Sequence, residues 1–264
     1  MINDNCQARG GFTLTELIVV LAVVALAGGV VTSTLATTRV RAQSATCLGN
    51  FQSLGAAWML YAEGHNGNLT GAFDWVQGRL DYAADNPDNT NRNHLLNSRL
   101  SSLVRDPIAF KCPADRSTAK AGGLELPRVR SVAMNQMFRP ASEREGWTSS
   151  PPWRNYVNSS DLVFPAPANL WVLVDENPDS VNDAAFAVVM DRQKWGACWQ
   201  DGPSILHNGG GTLSFADGHA ELRRWKDPQT LTMKVTYRVE FPYGRVQPYN
   251  LDVQWMQDRT TAWE

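Results

Sequence analysis

An apolar run near the N-terminus constrains this chain more than any other feature. Residues Leu17 to Val31 include no charged side chain, and Glu16 stands directly before them. Counted onward to Ala36, the run approaches the roughly 20 residues that a membrane-spanning helix needs. A carboxylate costs about 3 kcal/mol at mid-membrane and less near the interface, so such a residue usually has a function. The sequence therefore predicts an anchoring helix in which Glu16 has a role.

A secretory signal peptide is the alternative explanation of this segment. Such a peptide has a basic leader, a short apolar core and a small-residue cleavage site behind the core. Small residues at 25–29 imitate that cleavage site, but the leader carries only Arg9 against Asp4, and Glu16 opens the core. These departures favour a helix that stays on the protein.

The helical pattern continues beyond the apolar run. Apolar residues recur at spacings of three and four, as on one face of an amphipathic helix: Leu48, Phe51, Leu54, Trp58 and Tyr61. No proline interrupts the pattern before Gly64. The periodicity predicts one helix from about Thr13 to Ala62, with its second half packed on a globular domain.

The rest of the chain alternates short apolar segments with loops rich in Asn, Asp and Gly. Predicted strands lie at 128–134, 169–174, 185–190, 212–215, 220–225 and 235–241, and a short helix lies at 251–259. The Asp217-Gly218 pair between the fourth and fifth of these strands is a strong hairpin-turn signal. A helix followed by antiparallel strands indicates an α+β fold.

The N-terminal residues also carry a resemblance. Gly11-Phe12-Thr13-Leu14-Thr15-Glu16 before an apolar helix resembles the signature of type IV pilins and type II secretion pseudopilins. In that family the leader is cut between Gly and Phe, the new Phe amine is N-methylated, and the Glu contacts the N-terminus of a neighbouring subunit. The resemblance implies processing at Gly11 and Phe12, assembly through Glu16, and a pilin-like fold with a long helix on an antiparallel sheet.

The same resemblance implies an organisation and a location. A leader would cover 1–11, the pilin helix 12–63 with its membrane span at about 14–36, and the globular domain 64–264. The partners would be a prepilin peptidase, other pilin or pseudopilin subunits, and the inner membrane, with the globular domain in the periplasm or outside the cell. The positive-inside rule favours the opposite orientation, since Arg39 and Arg41 follow the span and only Arg9 precedes it. A difference of one charge is the weaker argument.

A second motif lies near the C-terminus. His207 and Asp217-Gly218 are separated by nine residues, as in prepilin-like proteins of planctomycete- and verrucomicrobia-type bacteria. The segments around Cys47, Cys112 and Val174 agree with that group in broad pattern. Because the group is defined by architecture, the resemblance implies no particular activity.

Several side chains in this region could bind a metal. Major pseudopilins carry a calcium site in their C-terminal loops, and the resemblance implies a calcium candidate here, formed by Asp175, Glu176, Asp179, Asp183, His207 and Asp217. The spacing matches no EF-hand loop, and no Cys/His quartet has the spacing of structural zinc, so calcium is favoured over zinc. The structural alternative is a solvated acidic loop beside a plain hairpin turn.

The cysteines point to a covalent link. Cys6 lies in the predicted leader, which leaves Cys47, Cys112 and Cys198 in the mature chain. A translocated domain folds in an oxidising compartment, where one disulfide and one free thiol are expected. We predict a disulfide between Cys47 and Cys112 that joins the helix to the globular domain, with three free thiols as the alternative.

Charge and aromatic content separate the remaining function classes. The chain has 24 Lys+Arg against 26 Asp+Glu, which indicates no nucleic-acid partner. Ten Trp residues suggest, as the alternative function, a membrane-anchored glycan-binding module. Its binding face would consist of Trp75, Trp147, Trp153, Trp171, Trp195 and Trp199.

Enzymatic sites are weakly indicated. No Gly-x-Ser-x-Gly elbow surrounds Ser204 or Ser214, and the glycines at 209–211 lack the Lys of a phosphate loop. A metal-dependent hydrolase at His207 and Asp217 would need an open cleft. The preferred prediction is therefore a structural filament subunit without enzyme activity.

Overall fold

The computed structural model describes residues 13–83, 85–104, 106–140, 153–190, 198–247 and 249–263, without the side chains of 25–36 and 245–246. The chain divides into two compact units, Met1–Ala42 and Gln43–Glu264. The predicted processing residues Gly11 and Phe12 lie outside the described residues.

The described residues form α-helices and short strands. The helices are α1 (Leu14–Gly64), α2 (Asn93–Leu96), α3 (Pro228–Leu231) and α4 (Leu251–Thr260). The strands are β1 (Thr118–Ala121), β2 (Leu124–Pro127), β3 (Val132–Asn135), β4 (Trp171–Asp175), β5 (Ala185–Phe186), β6 (Cys198–Trp199), β7 (Gly210–Phe215), β8 (Ala220–Arg224) and β9 (Arg245–Val246).

Helix α1 confirms the predicted continuous helix. It begins in the first unit and ends in the second, so the boundary between the units at Ala42 falls inside the helix rather than at its end. Large apolar side chains at its start are exposed: Leu14, Leu17, Ile18, Val19, Val20, Leu21, Val23 and Val24.

Among the described residues, no helix combines the length and the apolar character that a bilayer crossing requires. The membrane span predicted at about 14–36 includes residues 25–36, whose side chains the structure does not describe. This span stays a prediction.

A five-stranded sheet in the order β5-β3-β4-β7-β8 forms the centre of the second unit. Its strands pair antiparallel except β3 with β5, which are parallel. The hairpin of β7 and β8 turns at Asp217-Gly218 as predicted, and Gly218 has the positive φ of 91° that favours glycine at this turn.

Apolar clusters cover both faces of this sheet. On one face the buried side of α1 packs with β3, through Cys47, Phe51, Leu54, Trp58, Val132 and Met134. On the other face α4 packs on β4 and β7, through Trp171, Val174, Leu213, Phe215, Val253 and Met256. A long helix on a mainly antiparallel sheet confirms the predicted α+β, pilin-like fold.

One predicted strand is wrong. Residues 235–241 form no strand, because the Asp179 carboxylate accepts hydrogen bonds from the backbone N–H groups of Thr236 and Tyr237. Tyr237 has a φ of 58°, which is incompatible with an extended strand. The predicted C-terminal helix is confirmed as α4.

Candidate metal centre

Four side chains from separate segments converge in the interior of the second unit. They are Cys47, Cys112, Asp175 and His207, and their Sγ, carboxylate O and ring N atoms all lie within 4.8 Å of one another. Each residue is at most 2 % exposed. Among the described residues this is the one group of three or more His, Cys, Asp or Glu side chains close enough to share a metal ion.

Cys47 reaches the cluster from α1. It precedes Phe51, Leu54 and Trp58 at helical spacings, so it lies on the face of α1 that packs on the sheet. The amphipathic pattern that buries this face therefore also fixes the thiol at the centre of the domain.

Cys112 follows a short 3₁₀ turn at Pro107–Phe110, which the Asp106 side chain caps by accepting from Ile108 N. Its own backbone N donates to Ser131 Oγ at 2.9 Å. Its Sγ accepts from the backbone N of Ala114 at 3.4 Å. The turn thus holds the sulfur with one donor already directed at it.

Asp175 is the last residue of β4 and pairs with Val132 of β3. Its Oδ1 accepts from Ser131 Oγ at 3.1 Å, so one hydroxyl contacts both the Cys112 segment and the Asp175 carboxylate. Its Oδ2 is buried without a hydrogen-bond partner, 3.6 Å from His207 Nε2. A buried carboxylate oxygen left unpaired is costly, which marks this atom as one that a ligand would satisfy.

His207 lies in the loop before β7, where Asn208 and Gly209 adopt positive φ values of 55° and 78°. Its backbone N donates to Gly210 O at 3.2 Å, which closes the turn. The ring Nε2 faces the cluster at 3.2 Å from Cys112 Sγ, and Nδ1 lies 3.1 Å from Ser44 Oγ of α1. Both ring nitrogens therefore have a defined neighbour.

Burial shifts every resolved titration in the cluster toward the neutral form. It raises the pKa of Asp175 to about 7 and lowers the pKa of His207 to about 4. A hydrogen bond with Cys47, and then burial, raise the pKa of the Cys112 thiol. At neutral pH the imidazole is therefore uncharged, and the contact of His207 with Asp175 is not an ion pair.

The arrangement does not fit a Cys-His-Asp catalytic triad. A triad places the nucleophile on one ring nitrogen of the base and the orienting carboxylate on the other. Here Cys112 and Asp175 both face Nε2, and Nδ1 faces Ser44. The raised pKa also keeps the thiol protonated, which is the opposite of an activated nucleophile.

The residues predicted to bind calcium are divided among several places. Asp175 and His207 belong to the cluster, but Asp217 lies on the surface beside His219 at 2.6 Å. Glu176 accepts from Ser180 Oγ at 2.7 Å. Asp179 accepts the two loop N–H groups at Thr236 and Tyr237, and Asp183 accepts from Ala185 N at 2.9 Å. The structure thus gives these acids separate partners. A metal-dependent hydrolase would need His207 and Asp217 in one cleft, but His207 is buried in the cluster and Asp217 lies on the surface.

The cysteines predicted to form a disulfide do come together, but as free thiols. Cys47, Cys112 and Cys198 are all free in the structure. Cys47 and Cys112 share their site with the His207 imidazole and the Asp175 carboxylate instead of bonding to each other. Cys198 lies in β6, outside the cluster.

The glycan-binding alternative required exposed indole rings. Trp75, Trp171 and Trp199 are buried, and Trp153 is half-buried. Trp147 and Trp195 lie outside the described residues. The described rings of this set serve packing, as in the stack of Trp75 on Phe110 and the edge contact of Trp171 with Phe186.

Glu16 has a local partner that the sequence argument missed. Its Oε2 accepts from Thr13 N at 2.8 Å and from Thr13 Oγ1 at 2.7 Å, while its own N donates to Thr13 Oγ1 at 3.3 Å. These reciprocal bonds form a capping box at the start of α1. The T-x-x-E spacing of Thr13 and Glu16 was the sequence signal for this cap.

The His-nine-residue-Asp-Gly motif contacts α1 at both of its ends. His207 meets Ser44, while a Cβ built on Gly218 would come within 2.6 Å of Met59 Sδ. Strand β7 lies between these ends, where Ser214 Cβ would be 3.2 Å from a Cβ built on Gly55. The spacing of the motif thus matches one strand laid along the helix.

Comparison with known proteins identifies the N-terminal segment alone. Residues 6–32 match the family described as the prokaryotic N-terminal methylation motif. The curated proteins and the solved structures gave no match. The motif supports a type IV pilin- or pseudopilin-like protein, a class that in general is processed by a prepilin peptidase and assembles with other pilin subunits.

Proposed function

We propose that this chain is a prepilin-like structural subunit of a type II secretion or type IV pilus-like filament. Its leader is removed after Gly11, the new amine of Phe12 is methylated, and the mature chain assembles through α1. The observation that carries the proposal is the methylation motif at 6–32 joined to a helix, Leu14–Gly64, whose start exposes apolar side chains and whose second half packs one face on a globular domain.

The exposed start of α1 supports an assembly role. Leu17, Ile18 and Leu21 are each about half exposed or more, and a helix that is apolar on all sides needs lipid or neighbouring helices around it. In the proposed cycle the segment rests in the inner membrane before assembly and against sister helices afterwards. The globular domain then lies in the periplasm or outside the cell.

Glu16 supports the proposal through its position. In the single chain its carboxylate caps its own helix through Thr13. In the filament it would accept the methylated amine of a neighbouring subunit, and a charge pair gains strength where water is excluded. Assembly would therefore exchange two local hydrogen bonds for an intersubunit ion pair.

Mass spectrometry of the N-terminus tests the processing step. In cells with an active prepilin peptidase we expect a mature chain that begins at N-methyl-Phe12, and in peptidase-deficient cells the intact chain. Gly11→Val should block cleavage, because a branched side chain at the scissile bond obstructs the peptidase. Gly10→Val is the matched control and should still be cut. Full-length chain in peptidase-positive cells would refute the proposal.

A further inference from the structure

We propose that Cys47, Cys112, Asp175 and His207 form a closed, four-coordinate structural zinc site. The donor set is two thiolates, one imidazole and one carboxylate, brought to one point by α1, the segment after the 3₁₀ turn at Pro107–Phe110, the end of β4 and the loop before β7. The site is independent of filament assembly, since all four residues lie within the second unit.

The distances fit a tetrahedral ion. With Zn–S of about 2.3 Å and Zn–N or Zn–O of about 2.0 to 2.2 Å, the donors of a tetrahedral site lie about 3.3 to 3.8 Å apart. His207 Nε2 is 3.2 Å from Cys112 Sγ and 3.6 Å from Asp175 Oδ2, and no pair of donor atoms is farther apart than 4.8 Å. Shifts of about an ångström or less would complete the geometry.

The surroundings orient the donors as the outer shell of a metal site does. Metal-binding histidines almost always donate their second ring N–H to a neighbour, and His207 Nδ1 has Ser44 Oγ at 3.1 Å. Ser131 Oγ positions Asp175 through Oδ1, and Ala114 N donates to Cys112 Sγ. Asp175 Oδ2 is buried without a hydrogen-bond partner, and the ion would satisfy it.

The donor chemistry selects zinc among common ions. Calcium takes six to eight oxygen ligands, and this cluster offers one carboxylate. Copper(I) favours soft sulfur ligands, and the carboxylate is a hard one. Two thiolates with an imidazole and a carboxylate match tetrahedral zinc, and the burial of all four leaves no open position for a substrate. The site is therefore structural rather than catalytic.

Zinc binding would exchange protons for the ion. The two thiols, and any protonated Asp175, release their protons to solvent as the Zn–S and Zn–O bonds form, and His207 binds as the neutral imidazole. Cys112 also lines a cavity of about 620 Å³ together with Lys111, Asp115 and Arg128. The bound ion ties α1 directly to the sheet.

Metal analysis of the purified full-length chain tests the proposal. Protein produced in zinc-supplied medium and purified in detergent with a reductant should contain about one zinc per chain. Cobalt(II) exchanged into the site should show thiolate-to-cobalt charge transfer and the intense visible bands of a tetrahedral ion. Chelation should lower the Tm, and added zinc should restore it.

Variants locate the ion. Cys112→Ser and His207→Gln should each lose most of the zinc. Cys198→Ser removes a buried cysteine outside the cluster, and Asp217→Asn changes the other end of the motif; both should keep the zinc. If the ligand variants fail to fold, the metal content and cobalt spectrum of the wild-type chain still decide. Wild-type protein without zinc, zinc retained in folded Cys112→Ser, or a Cys47–Cys112 disulfide in non-reduced peptides would each overturn the proposal.

Discussion

The start and the end of helix α1 belong to one continuous element, but their surroundings differ. Near the start, Leu21 is 58 % exposed, whereas near the end Trp58 is 1 % exposed and meets Phe138 edge-to-face at 5.2 Å. The start is apolar on all sides, and the end is apolar on one face only. A single helix can thus have one part stabilised by its own domain and another left for lipid or sister chains.

The largest expected effect tests this difference directly. Trp58→Ala should lower the free energy of unfolding of the globular domain by about 3 to 5 kcal/mol, because it leaves a cavity between α1 and the sheet. Leu21→Ala should change it by less than about 0.5 kcal/mol. Denaturant unfolding of the detergent-solubilised chain measures both. Leu60→Ala is the control, because Leu60 lies in the second half of α1 but on its exposed face. Its effect on the free energy of unfolding should resemble that of Leu21→Ala. Equal losses in the free energy of unfolding for Trp58→Ala and Leu21→Ala would contradict the difference between the packed and the exposed parts of α1.

The second effect concerns the contact between the hairpin turn and α1. Gly218→Ala should destabilise the domain by about 1 to 2 kcal/mol, since a side chain is strained at a φ of 91°. The clash with Met59 Sδ adds less, because that side chain can move. Met59→Ala with Gly218→Ala separates the two causes: the loss due to Gly218→Ala should persist in the double mutant if the backbone is responsible. Full rescue would assign it to the clash.

The third effect separates two roles of Glu16 at the start of α1. Glu16→Gln keeps the capping box, because Gln can accept the Thr13 bonds, but it removes the charge. Glu16→Ala removes both. If the charge drives assembly, both variants should assemble at least about tenfold less well than the wild type, a difference of about 1.4 kcal/mol. Yield of sheared filaments from matched cells measures this. Normal assembly of Glu16→Gln would show that assembly does not depend on the charge of Glu16, and capping of α1 would remain as its role.

The smallest expected effect is a gain in stability from a substitution in the second half of α1. Gly49 lies on the exposed side of α1, and a Cβ there would meet nothing within 4 Å. Gly49→Ala should raise the free energy of unfolding by about 0.5 to 1 kcal/mol through helix propensity. Gly55→Ala is the paired change on the packed side, where Ser214 Cβ is 3.2 Å away, and it should gain less or lose stability. A larger gain at Gly55 would contradict the packing of β7 on α1.

Sequence predictions succeeded where the signal was local. Three predictions depend on periodicity or turn chemistry within a few residues: the length of helix α1, the hairpin at Asp217-Gly218 and helix α4. All three are confirmed. The prediction of a strand at 235–241 was wrong, because the backbone N–H groups of Thr236 and Tyr237 donate to the Asp179 carboxylate. Asp179 lies 57 positions before Thr236 in the chain. A distant side chain overrode a local propensity.

The metal site shows the same limit. The sequence predicted roles for all four residues but assigned them to two different sites. His207 and Asp175 were placed in a calcium site, and Cys47 and Cys112 in a disulfide. Zinc was discounted because short Cys/His spacings were required, whereas Cys112 and His207 are 95 positions apart. One usable signal was the helical phase of Cys47 with Phe51 and Trp58, which placed a thiol on the face of α1 that packs on the sheet.

The sequence alone determined which segments become helix, hairpin and processing motif, because each depends on neighbours along the chain. Only the tertiary structure decided that two thiols, an imidazole and a carboxylate share one buried point. That meeting requires α1 to lie across β3, β4 and β7, and packing of this kind depends on the shapes of both faces of a contact, which no single segment contains.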